Sequence, residues 1–130
     1  MLIRIFLSVT ALIFSLFGTY ALLYPDVLSS SLGVDIGGPN GSFEIRGVFG
    51  GVSLGAAILC AAGAFKTTMT RPALWFLVAY MGGYCFARLA SVGLGDLPTP
   101  GTWRFVAFEA IMLIIALLAL REHASDEQNA

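Results

Sequence analysis

Residues 5–24 read IFLSVTALIFSLFGTYALLY. No acid, base or proline interrupts these 20 positions. At a rise of about 1.5 Å per residue, a helix of that length matches the roughly 30 Å hydrocarbon core of a bilayer. Three more apolar runs follow, at about 43–65, 72–94 and 103–120. The third opens after Arg71-Pro72, where proline suits a first helical turn. Together they predict an all-α chain: a four-helix transmembrane bundle over residues 1–121, with a polar, flexible tail over 122–130.

Composition agrees. Of the 130 residues, 58% are hydrophobic and 12% charged, against roughly 45–50% and 25% in a soluble domain. A net charge of −1 offers no electrostatic footprint for nucleic acid. Cys60 and Cys85 lie in apolar runs, match neither a disulfide framework nor a zinc spacing, and read as small buried side chains. The first run follows Arg4, and Thr19-Tyr20-Ala21 loosely resembles a cleavage site. It is nevertheless longer than a signal-peptide core and large residues come after it, so it is expected to remain as a span.

Loop charges predict orientation. The first loop carries Asp26 and Asp35 without Lys or Arg; the second contains Lys66 and Arg71 without an acid; the third, GDLPTPGT at 95–102, contains Asp96. The positive-inside rule puts the second loop in the cytoplasm. Four spans then put both termini there too, and loops one and three outside.

In that frame the charges within the spans gather in one outer layer. Glu44 and Arg46 open the second span. Arg88 lies six residues before Leu94 and Glu109 six after Trp103, each about 9 Å below the boundary. Arg104 sits above Glu109. Charges at membrane depth face the protein interior and pair, and matching depths predict Arg88 with Glu109. Glu44 and Arg46 stand about 200° apart on an α-helix, so one faces inward while the other snorkels. Tyr20, Tyr80 and Tyr84 place rings and hydroxyls near this layer. They would line a cavity if one exists, and would otherwise be core aromatics.

Gly47, Gly51 and Gly55 recur every fourth residue in the second span, and the third offers Ala79, Gly83, Ala87 and Ser91. Helices in lipid associate by close packing at small residues, so these two ladders are expected to pack on each other.

Motifs of catalysis are wanting. Gly51-Val52-Ser53-Leu54-Gly55 fits a nucleophile pattern but lies in mid-helix, and the single histidine, His123, is in the tail. No catalytic residue, metal site or cofactor is expected. Asn40-Gly41-Ser42 reads as a turn ending in a helix cap at Ser42. Val78, Tyr84 and Arg88 fit a loose sterol pattern of little weight.

Glu44-x-Arg46-x-x-x-Gly50-Gly51, with Arg88 late in the third span and Glu109 in the fourth, resembles a family of small bacterial four-helix membrane proteins catalogued as a domain of unknown function. The resemblance spans about 5–120. It implies one helical domain in a bacterial inner membrane and brings no activity with it.

The leading expectation is a non-enzymatic accessory or scaffold subunit, holding lipid, another membrane protein or a second copy of itself. The alternative is a binder of a small amphiphile or lipid, anionic or quinone-like, above the Glu/Arg layer, using Arg46, Arg88 and Tyr84. An outward-open pocket reaching Arg88 is the feature that separates the two. Proton or ion transport, or acid–base chemistry at Glu44 or Glu109, has less to recommend it.

Overall fold

The computed structural model describes residues 1–35 and 37–128, with side chains described as far as Ser125. Its elements are α1 (Leu2–Leu23), α2 (Pro25–Leu32), α3 (Pro39–Ile45), a π-helical turn (Arg46–Gly51), α4 (Val52–Phe65), α5 (Thr67–Gly93) and α6 (Trp103–Gln128). No strand occurs among the described residues. Four helical stretches are long and apolar enough to cross a membrane: Leu2–Leu23, Pro39–Phe65, Thr67–Gly93 and Trp103–Ser125. No more than 39% of the residues in any of these spans are buried. Apolar side chains therefore point outward, as lipid on that side requires and water would not allow. The chain is an integral, multi-pass membrane protein.

Two compact units divide it, Met1–Met69 and the residues from Thr70 onward. In the first, α1 packs along α4 and the π-helical turn. Besides Thr10, the buried α1 positions are Leu7, Ala11, Phe14, Gly18 and Ala21. They alternate steps of four and three, the spacing of a helix–helix seam. The α4 side is made of small residues, with Ser53, Ala56, Ala57, Cys60, Gly63 and Ala64 buried. Near the far end of α1, Ala21, Leu28 and Ile45 form a buried cluster flanked by Phe17, Leu32 and Phe49. The Phe17 and Phe49 rings meet edge to face at 6.4 Å.

Four local features depart from expectation. The first loop contains a two-turn helix, α2. Pro25 stands at its start, where its missing N–H costs nothing, and Gly33 ends it at φ 70°. Gly33 N–H donates to the Ser30 carbonyl and Val34 N–H to the Ser29 carbonyl, the bond pair of a Schellman cap. In α3 the start is Pro39, so Ser42 is not a cap; it lies inside the helix and donates its hydroxyl to Asp26 Oδ1 at 3.1 Å.

Both later helices are longer than expected. α5 begins at Thr67, so Pro72 sits inside it, just beyond the first turn, where the ring forfeits a single intrahelical bond. α6 runs through the polar tail to Gln128 instead of fraying after Leu120. Residues 121–128, REHASDEQ, are mostly adequate or good helix formers, and nothing there breaks the ladder. Residues 129–130 of the expected tail lie outside the described residues.

Candidate functional site

The expected charged residues separate into two settings. In the first unit Glu44 is exposed. Arg46 opens the π-helical turn and its Nε donates to the Leu22 carbonyl at 3.0 Å. Leu22 is in the last turn of α1, where carbonyls lack intrahelical donors and the helix end carries partial negative charge. Arg46 is therefore a side-chain cap for α1. Tyr20 stays on α1 beside Tyr24, with ring centroids 5.6 Å apart.

Within the first unit, the close approach to α1 falls to glycines other than Gly47, Gly51 and Gly55. A Cβ on Gly18 would stand 3.0 Å from the Gly50 carbonyl oxygen, and one on Gly50 would stand 2.7 Å from Leu22 Cδ2. These two glycines make the close crossing of α1. A Cβ on Gly47 or Gly55 would meet nothing within 4 Å, and one on Gly51 only the Arg46 carbonyl at 3.9 Å. The i→i+5 bonds of the π-helical turn accommodate an extra residue, which shifts the face that residues 46–51 present relative to an unbroken α-helix.

The second unit contains the chemically richer arrangement. Positions 76, 80, 84 and 88 of α5 are each one helical turn apart, on a shared face. Phe76 and Tyr80 stack at 5.4 Å, and Tyr80 meets Tyr84 edge to face at 5.1 Å. Their hydroxyls are 3.3 Å apart. Next in line, the Arg88 guanidinium carbon lies 6.0 Å from the Tyr84 ring centroid, within cation–π range.

Arg88 crosses to α6. Its Nε donates to Glu109 Oε2 at 3.2 Å and its Nη2 to Oε1 at 3.1 Å. This is the bidentate fork that fixes a carboxylate in orientation as well as position. The Glu109 side chain is 10% exposed and that of Arg88 41%, so the acid is buried and the base partly open. One turn deeper, a Cβ on Gly82 would touch Leu113 Cδ1 at 3.8 Å. Contact positions fall along α5 as they rise along α6, as in an antiparallel hairpin. Arg104 does not join the pair; its Nε donates to the Gly101 carbonyl at 3.3 Å and its side chain is exposed.

A cavity of about 210 Å³ opens over Arg88. α5 contributes Arg88, Ser91 and Val92 to its wall, and α6 contributes Trp103 and Val106. Asp96, Leu97 and Pro98 complete it from the connecting loop. That loop is held in shape by a second Schellman cap. Gly95, at φ 96°, donates its N–H to the Val92 carbonyl, and Asp96 N–H donates to the Ser91 carbonyl at 3.0 Å. The cap thereby anchors Asp96 against the last turn of α5. Ser91, Asp96 and Trp103 were not among the residues expected from sequence to line a site. The signal was present: the third loop pairs an acid with two prolines and ends on an aromatic at the start of a span.

Such a site can hold a small polar group against an apolar wall. The described residues contain no group of three or more His, Cys, Asp or Glu side chains able to hold a metal ion. No curated protein and no solved structure matches the chain. A family model does: residues 2–120 match the domain of unknown function DUF4345. With nearly its whole length covered, the chain belongs to the DUF4345 family.

Proposed function

We propose that this protein binds the polar end of a membrane amphiphile in the cavity between the last turns of α5 and the first turns of α6. The observation that carries the reading is an open cavity of about 210 Å³ that reaches Arg88 and is walled by Val92, Leu97, Trp103 and Val106. An apolar wall with a few convergent polar groups is the usual make-up of a small-ligand site. The volume is below the roughly 300–1,000 Å³ of sites that enclose a whole drug-sized molecule. It suits a headgroup or a ring whose hydrophobic remainder stays in the bilayer. Loop charges support an orientation with both termini in the cytoplasm and this cavity in the outward leaflet of a bacterial inner membrane.

A second reading, an accessory or scaffold subunit, has one observation in its favour. Within the first unit, Gly47 and Gly55 take no part in the close crossing with α1. Small residues so placed suit the approach of a partner helix. Native mass spectrometry of the protein, extracted from its own membrane in mild detergent, separates the two. A chain carrying one lipid or amphiphile supports the binder. A chain held at fixed stoichiometry to another polypeptide, with no small molecule retained, makes the subunit reading the primary one.

A further inference from the structure

We infer that the group this cavity selects is a cation, the ammonium of an amine-bearing lipid headgroup, and that Asp96 and Trp103 recognise it. The inference rests on the amphiphile reading above and names the chemistry of the ligand's polar end.

The charge balance at the site runs against an anionic ligand. Arg88 is the obvious anion receptor, but both oxygens of Glu109 already occupy its Nε and Nη2. The pair is neutral as a whole, so although Arg88 keeps N–H donors that Glu109 does not use, its net pull on a second anion is largely cancelled by the adjacent carboxylate. Asp96 is different. It lines the cavity, and its carboxylate has no hydrogen bond or ion pair among the described residues.

Its position in the fold strengthens the point. Asp96 is the third residue beyond Gly93, the last of α5, where a Schellman cap commonly places an apolar side chain against the helix. The end of α5 also carries the negative pole of the helix dipole. An acid there is disfavoured by its own helix, and the bond from Asp96 N–H to the Ser91 carbonyl fixes the residue's backbone beside the cavity it lines. A cation would be drawn by the carboxylate and the helix end together. Trp103, on the same wall and 47% exposed, adds an indole, the best of the aromatic faces for an ammonium. Carboxylate, helix C-terminus and indole converge on one small space. Below it, the Arg88–Glu109 pair supplies a neutral polar floor.

The test uses the full chain in nanodiscs made from equal parts phosphatidylethanolamine and phosphatidylglycerol, with retained lipid identified by native mass spectrometry. Wild type is expected to retain the amine lipid over the anionic one by roughly threefold to tenfold, the range that one cation–π contact and one exposed charge pair provide. Asp96→Asn keeps the backbone cap and should lower that ratio to the smaller part that the Trp103 contact alone provides, about twofold, with helix content and melting unchanged. Trp103→Leu, which keeps the carboxylate, should lower the ratio in part. Retention of phosphatidylglycerol in preference, or an Asp96→Asn ratio equal to wild type, overturns the cation assignment while leaving an amphiphile site in place. If wild type retains no lipid at all, the amphiphile reading fails and this inference fails with it.

Discussion

Glu109 is the residue on which the second unit is most sensitive to substitution. A carboxylate 10% exposed in a membrane span has one partner, Arg88. Removing one side of such a pair leaves the other charged and unsolvated, a loss of about 3–5 kcal/mol when both partners are buried. Arg88 is 41% exposed, so water or headgroups reach the site and the cost of Arg88→Ala should be lower, about 1–3 kcal/mol. Arg104→Ala removes a bond to the Gly101 carbonyl from an exposed side chain and should change stability by less than about 0.5 kcal/mol. Thermal unfolding in one detergent compares the two; equal shifts would mean that the Arg88–Glu109 fork contributes nothing. Replacing both members, Arg88→Met with Glu109→Leu, should restore most of the lost stability, because two apolar side chains leave no stranded charge.

At the scale of elements, the crossing of α1 with the second span is decided by two glycines. Gly18→Ala would place a methyl 3.0 Å from a backbone oxygen and 2.9 Å from Leu54 Cγ. Neither neighbour is the free end of a flexible side chain, so the helices must separate, at about 1–3 kcal/mol. Gly47→Ala and Gly55→Ala meet nothing and should be neutral, or stabilising by up to about 1 kcal/mol through helix propensity. Melting temperatures of the three variants check this, and a Gly47→Ala loss as large as that of Gly18→Ala would contradict it. Arg46→Met should cost about 1 kcal/mol by leaving the Leu22 carbonyl unpaired, with Arg46→Lys recovering part of the loss. An Arg46→Met melting curve superimposed on wild type would remove its capping role.

These elements also show where sequence reading succeeds and where it stops. The spans are legible because an uncharged run as long as residues 5–24 has few other uses. The Arg88–Glu109 pair is legible because both lie six residues from a span boundary, and depth is a one-dimensional count. The Gly18–Gly50 crossing with α1 is not, since the π-helical turn Arg46–Gly51 inserts a residue into the count. α2 had its signals, Pro25 at one end and Gly33 at the other, within a stretch short enough to pass as loop. The cavity was hidden for another reason: Ser91, Asp96 and Trp103 come together only once Gly95 has closed the α5 end and turned the chain back.

For the whole molecule, the apolar exterior has a direct consequence for function. Four apolar spans with at most 39% of their residues buried make nonspecific contact with acyl chains unavoidable in a membrane. What distinguishes a binding protein in that setting is one amphiphile held at a defined place after the annular lipid has been washed away. The most direct measurement is therefore the number of lipids retained per chain, by native mass spectrometry after detergent exchange, in wild type and in two variants that fill the cavity, Ser91→Phe and Val106→Phe. Circular dichroism would verify that all three are folded. The account predicts one tightly retained amphiphile per wild-type chain and none in either filled variant. Equal retention in all three would contradict it, because the bound molecule would then lie somewhere other than over Arg88.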